Sequence, residues 1–170
     1  MDMYAATVPV FDRMLSNMQT WIRTARDHAI AKGFDESVYL TLRLAPDMLP
    51  LPRQVQIASD AAKSGTARLA SIEVPSWPDS EASLEELIQR IQKTRDFIKT
   101  VTPEQINGAE TRAVSVPRRD KEPLKFEGQD FMRFYNLPNF FFHATTLYAL
   151  LRNAGVPLGK MDFLGQPQPK

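Results

Sequence analysis

Histidine is the side chain best suited to acid–base or metal chemistry in this 170-residue sequence, which contains two, His28 and His143. Asn139 lies four residues before His143 and Thr146 three residues after it, so on a helix the three side chains share one strip of surface. The strip either lines a cavity, with His143 as a ligand or general base, or packs against other helices with its ring nitrogens hydrogen-bonded. His28 is predicted to be a half-buried surface residue.

A metal site needs three or four nitrogen, oxygen or sulfur ligands that converge on one point. The sequence has no cysteine and only two histidines, so any such site must recruit carboxylates or carbonyls. Asp60 is the obvious helical carboxylate, but its position predicts a solvated side chain on the polar side of its helix. No HExxH, P-loop, GxSxG or GxGxxG motif is present. The motifs alone therefore indicate no catalytic class.

The composition is that of an ordinary globular protein, with 43% hydrophobic and 24% charged residues. Lys and Arg total 21 against 20 Asp and Glu, and this near-neutral balance argues against a nucleic-acid partner. No apolar run approaches the ~18 residues of a membrane span, and no secretory signal is visible. We therefore expect a cytoplasmic protein with no membrane partner, folded as a single domain over residues 1–170.

Thirteen prolines divide the sequence into stretches whose apolar residues recur with helical spacing. Four long helices are predicted, over residues 4–32, 53–72, 83–101 and 137–154. The third has the clearest start, because Ser83 and Glu86 form a capping-box pattern. A short helix is expected within residues 35–44. Four long helices with proline-rich connections predict an all-α four-helix bundle.

Residues 111–127 differ from the rest because their apolar side chains alternate with period two around a charged, proline-flanked turn. This pattern predicts a small β-hairpin inserted before the last long helix. That last helix contains three consecutive aromatic residues, Phe140, Phe141 and Phe142, which one helix face cannot bury together. We therefore expect it to be central or to lie at the contact of a homodimer.

Several uncommon segments, in order along the chain, resemble a bacterial family of uncharacterised helical proteins. These segments are residues 7–11, 44–48, 53–57, 137–140, 142–143 and 155–165. That family belongs to the DinB/YfiT-like superfamily of four-helix bundles, whose members of known activity are similar to metal-dependent thiol transferases. The resemblance covers nearly the whole chain and implies a DinB-like four-helix bundle.

The resemblance also implies where metal ligands would lie. The last helix of superfamily members carries two histidines four residues apart, which fall on Asn139 and His143 of this sequence. A third histidine, from the second helix, falls near Ala58. His143 is therefore the only superfamily ligand retained, and an Asn/His pair would hold a divalent ion weakly. Gln54 lies one turn before Ala58 on the same buried face.

Two functional hypotheses follow. The first is a bundle without the three-histidine metal site and without a cofactor, which is either non-catalytic or binds a small molecule in a residual pocket. The candidate pocket residues are His143, Asn139, Thr146, Gln54 and Ala58. We prefer this hypothesis because of the missing ligands.

The second hypothesis is a transferase acting on low-molecular-weight thiols or small electrophiles, with or without a divalent metal such as Zn²⁺ or Ni²⁺. His143 would be its ligand or base. The further donors would have to come from His28, Gln54, Asp60 or a water molecule.

Overall fold

Four long helices form the body of the structure, a computed structural model that describes residues 2–165. They are α1 (Val8–Lys32), α2 (Leu51–Leu69), α3 (Leu84–Lys99) and α6 (Leu137–Asn153). The shorter elements are a 3₁₀ helix (Glu36–Thr41), α4 (Pro103–Ile106), β1 (Ala113–Arg118), β2 (Lys121–Glu127), α5 (Gly128–Asp130), a π-helix (Phe131–Asn136) and α7 (Lys160–Leu164). The ends of the predicted domain, residue 1 and residues 166–170, lie outside the described residues.

The long helices close into a ring, which confirms the predicted four-helix bundle. Helix α1 packs against α3 and α6, and α2 packs against the same two helices from the other side. Their apolar stripes meet in one core, where the rings of Phe11 and Phe140 make an edge-to-face contact with centroids 4.8 Å apart. No helix of residues 2–165 has the length and apolar character needed to span a membrane.

The helix ends agree with the sequence-based predictions at α3 and differ from them at α2. Ser83 Oγ accepts a hydrogen bond from the Glu86 amide at 3.2 Å, as the capping pattern predicts. Glu86 Oε2 instead accepts from the Ala82 amide, at 2.6 Å. Helix α2 runs over Leu51–Leu69 rather than the predicted 53–72, because Pro52 sits in the first turn, where a helix needs no amide donor.

The predicted hairpin is confirmed, and aromatic side chains hold it on the helices. Strands β1 and β2 pair antiparallel, with Val114 opposite Phe126. Phe126 packs on the rings of Phe131 and Tyr135 from the π-helix, at centroid distances of 6.0 and 5.4 Å. Val116 is buried on the same side. This packing supplies the apolar contacts that an isolated hairpin lacks.

The last helical segment is longer than the sequence predicts. Residues 128–153 are helical without interruption, passing from α5 through the π-helix into α6. Pro138 lacks an amide donor and therefore reads as a helix start, which explains the predicted boundary at residue 137. In the structure the wider π-helix precedes this proline, so the chain stays helical and places Asn136 against α2.

Candidate functional site

His143 and Gln54 meet where α6 packs against α2. His143 Nδ1 lies 2.7 Å from Gln54 Oε1, and Gln54 Nε2 donates to the Leu49 carbonyl at 2.8 Å. Because the amide nitrogen is directed at a carbonyl, the amide oxygen faces the imidazole, and Nδ1 must carry the hydrogen. The lone pair of Nε2, which has no hydrogen-bond partner among the described residues, is the position left for a ligand or a proton.

The electrostatic setting keeps this imidazole neutral. Burial lowers the pKa of His143, and the positive charge of Arg53 lowers it further. The side chain is 9% exposed. A neutral imidazole with one fixed nitrogen is the form that binds metals or accepts protons, so His143 is chemically competent as a single donor.

The other two superfamily ligand positions do not complete a metal centre around it. Ala58 is fully buried and has no donor atom, and Asn139 can offer only an amide oxygen. Within residues 2–165 no group of three or more His, Cys, Asp or Glu side chains is arranged to hold a metal ion. The donor set therefore does not fit the metal that the superfamily implies, since affinity depends on ligand number and charge.

The further donors considered from the sequence are engaged elsewhere. His28 Nδ1 lies 2.7 Å from the Tyr39 hydroxyl, and the histidine is half-buried as predicted. Asp60 Oδ1 forms ion pairs with Lys63 at 2.7 Å and Arg90 at 3.0 Å. The expectation of a simply solvated Asp60 is wrong, because these two cations bind the carboxylate although it is 42% exposed.

Asn139 lines a cavity that we call the Asn139 cavity, with a volume of about 160 Å³ between α2, β1 and the π-helix. Its polar lining consists of Asp60, Ser64, Arg68, Tyr135, Asn136 and Asn139. Val116 of the hairpin and Phe131 of the π-helix contribute apolar walls. Apolar walls combined with a few convergent polar groups are typical of a site for a small molecule.

Two donors on this cavity lack full pairing. Asn136 is 2% exposed, and its Nδ2 has no hydrogen-bond acceptor. Arg68 is half-buried and donates from Nε to the Ser115 carbonyl at 3.2 Å, and it has no ion pair in the described part of the chain. Burial lowers the pKa of Arg68, and the nearby Tyr135 partly offsets this shift.

Sequence reasoning found Asn139 but missed the rest of this cavity. A signal was present in α2, where Asp60, Ser64 and Arg68 recur every four residues and therefore share one helix face. No comparable signal marks Asn136, because its position against α2 depends on the π-helix.

Thr146, the remaining candidate, lies apart from the Asn139 cavity. Its hydroxyl donates to the Phe142 carbonyl at 2.8 Å, and the residue lines an open apolar depression of about 390 Å³ with Leu44 and Phe142. The predicted polar strip of α6 thus divides among three environments: the Asn139 cavity, the Gln54 contact of His143, and this depression.

Comparison with known proteins relates the chain to a described family and to a solved structure. The family model described as a domain of unknown function, DUF1993, matches residues 3–164. Among solved structures the chain is similar to a DinB family member protein from Shewanella denitrificans, with 39% identity and a TM-score of 0.90. That alignment covers 98% of this chain and 94% of the other. No curated protein matches the chain.

Proposed function

This chain belongs to the DUF1993 family and has a DinB-like fold, and from that premise we propose that it binds a small molecule without a three-histidine metal centre. The binding site we propose is the Asn139 cavity. The proposal rests on the location of Asn139 in the structure. The resemblance implies a metal ligand at this position, and the residue lines a polar cavity. Among residues 2–165 no group of three or more His, Cys, Asp or Glu side chains is arranged to hold a metal ion.

A second candidate function, a transferase acting on small thiols or electrophiles, is favoured by one observation. Gln54 fixes a neutral His143 whose Nε2 has no partner among the described residues, as a general base requires. The same arrangement also stabilises the α2–α6 contact without any catalytic role, so we rank this function second.

Elemental analysis separates the two proposals with respect to metal. Protein prepared without a histidine tag would be incubated with Zn²⁺ or Ni²⁺ and dialysed without chelator. We expect far less than one ion per chain, because one imidazole and one amide bind a divalent ion weakly. About one ion per chain, lost in His143→Ala and retained in His28→Ala, would contradict the metal-free proposal.

Binding in the cavity is tested by ligand-observed NMR with a mixed library of small neutral, cationic and anionic fragments. Ser64→Leu fills the cavity from its α2 wall and should abolish the specific hits. The matched control is Thr20→Leu, which adds the same side chain at an exposed position of α1. A library without hits, or hits that survive Ser64→Leu, would argue against a binding function of this cavity.

We also propose that a second copy of the chain covers the apolar outer surface of α6, giving a homodimer in the cytoplasm. Phe142 is 56% exposed and Leu44 beside it is exposed as well. Apolar patches of this kind are more common at protein contacts than on monomer surfaces.

A further inference from the structure

Two nitrogen-bearing side chains of the Asn139 cavity lining, Asn136 and Arg68, lack a full set of hydrogen-bond acceptors. The Asn136 Nδ2 group has no acceptor although the residue is 2% exposed, and Arg68 has used one of its five N–H groups. Burial of an unpaired amide donor is unfavourable, whereas the remaining N–H groups of the half-buried Arg68 are not among the buried unpaired atoms and stay open to a ligand. A ligand that brings negative charge and acceptor atoms would pair with these N–H groups.

The positions of these donors on their helices let one ligand reach both of them. Arg68 lies at the end of the α2 stripe that begins at Asp60, and Asn136 projects from the facing π-helix. The Asn136 amide packs over Gly65, with Nδ2 nearest to the glycine. A half-turn about the Cβ–Cγ bond exchanges the positions of Nδ2 and Oδ1. The Nδ2 atom is itself buried against Gly65, so it donates into the cavity only after that half-turn, whereas Arg68 faces the cavity as it stands.

The remaining walls limit the size and charge of the occupant. Val116 and Phe131 are apolar and suit an aliphatic chain. A volume of about 160 Å³ is close to that of a protein cavity known to hold benzene, a molecule of about six heavy atoms. At the other end the Asp60 carboxylate, which forms ion pairs with Lys63 and Arg90, would repel a second carboxylate.

We propose that the Asn139 cavity binds a small aliphatic monocarboxylate, whose carboxylate pairs with Arg68 and accepts a hydrogen bond from Asn136. This inference rests on the proposed function and adds its ligand class. The hairpin has a role in this arrangement, because the Ser115 carbonyl orients the Arg68 guanidinium and Val116 covers the aliphatic part of the ligand.

The test compares four molecules of similar length: butyrate, butyramide, butylammonium and succinate. Dissociation constants would be measured by ligand-observed NMR at low ionic strength, because salt screens a half-exposed charge. We expect butyrate to bind about tenfold more tightly than butyramide, as charge-assisted hydrogen bonds outweigh neutral ones by that factor. Butylammonium and succinate should bind more weakly than butyrate. The ammonium group would be repelled by Arg68, and the second carboxylate of succinate would be repelled by Asp60.

Variants then assign the binding to the named residues. Arg68→Gln should weaken butyrate binding about tenfold and leave butyramide nearly unchanged, whereas Arg68→Lys should retain part of the preference. Asn136→Asp keeps the shape of the side chain and should abolish butyrate binding by charge repulsion. The matched control is Arg23→Gln, which removes an exposed arginine from α1. Thermal unfolding of each variant verifies that it is folded.

The outcomes separate this inference from the proposal on which it rests. Equal binding of butyrate and butyramide would overturn the carboxylate assignment, and so would butyrate binding that Arg68→Gln leaves intact. If neutral fragments bind and Ser64→Leu blocks them while butyrate does not bind, the cavity binds small molecules of another class. If neither fragments nor butyrate bind, both proposals are overturned.

Discussion

The imidazole of His143 owes its protonation state to two neighbouring residues. The Gln54 amide, itself oriented by the Leu49 carbonyl, places the hydrogen on Nδ1. Burial and the charge of Arg53 lower the pKa of the ring. His143 is thus held in the neutral form that binds a metal or accepts a proton, and within residues 2–165 no group of three or more His, Cys, Asp or Glu side chains is arranged to hold a metal ion.

The lowered pKa of His143 predicts a pH-dependent stability. Between its folded pKa and the unfolded value near 6.5, the unfolded chain binds more protons, so stability is fully present above about pH 6.5 and is lost as the pH falls. His143→Gln should flatten this part of the profile and also cost about 1 kcal/mol at pH 8, because the Gln54 hydrogen bond changes. Urea unfolding from pH 8 to 5 measures both effects, with His28→Gln as the matched control. Identical slopes in wild type and His143→Gln would contradict the prediction.

At the scale of elements, the contact of α2 with the π-helix depends on the absence of a side chain at residue 65. A Cβ on Gly65 would lie within 2.6 Å of Asn136 Cγ and closer still to Nδ2. The glycine therefore permits the close approach that builds the Asn139 cavity, at a cost in helix propensity of about 1 kcal/mol.

Gly65→Ala should destabilise the protein by about 1–3 kcal/mol, because the clash with the buried Asn136 outweighs the propensity gain. In an Asn136→Ala background the same change should be neutral or stabilising, since the obstructing amide is gone. A double-mutant cycle by urea unfolding measures this coupling. Additive effects of the two changes would show that the contact is not the cause.

A second element-scale feature is the connection between α2 and α3, which one buried arginine holds in place. The Arg90 side chain is 2% exposed and forms ion pairs with Asp60, Asp79 and Glu81 at 3.0–3.1 Å. It also donates to the Pro78 carbonyl at 2.9 Å. Burial alone would lower the pKa of Arg90, but the three carboxylates raise it above its usual value.

Arg90→Met should cost about 3–5 kcal/mol in the free energy of unfolding, because it leaves three carboxylates without their shared cation. The matched control is Arg26→Met, which removes a more exposed ion pair with Glu85 and should cost at most about 1 kcal/mol. Urea unfolding at pH 7 compares the two. Similar decreases in the free energy of unfolding of both variants would contradict the prediction that the buried Arg90 ion pairs stabilise the protein more than the exposed pair does.

At the scale of the whole molecule, apolar side chains remain exposed on one side of the bundle. Phe34, Val38 and Leu42 line a depression of about 440 Å³ at the 3₁₀ helix, and Leu44 and Phe142 line the depression beside Thr146. Helix α6 contributes to both the core and this surface, as its apolar pattern on more than one face predicts.

If a second copy covers this surface, Phe142→Glu should shift the protein from dimer to monomer, because it places a charge at the centre of an apolar contact. The matched control is Phe134→Glu, which changes a phenylalanine of the π-helix that is 67% exposed. Sedimentation velocity over a range of concentrations measures the mass. A monomeric wild type, or a dimer that persists in Phe142→Glu, would contradict the homodimer proposal.

The sequence by itself determined the long helices and the hairpin. Apolar spacing and the Ser83 cap act within a few residues, and so does the alternation that produces β1 and β2. The resemblance also predicts missing metal ligands, because the residues at and near the implied positions, Asn139 and Ala58, can be read without coordinates.

The tertiary structure alone decided which polar side chains meet. Asn139 and His143 are four residues apart on one helix, yet one lines the cavity and the other contacts Gln54. Their environments follow from how α2, the hairpin and the π-helix pack around them, and so does the placement of Arg68 and Asn136 around one cavity. Local periodicity fixes the face of a helix on which a residue lies, but the rotation and offset of that helix against its neighbours come from packing among residues distant in sequence.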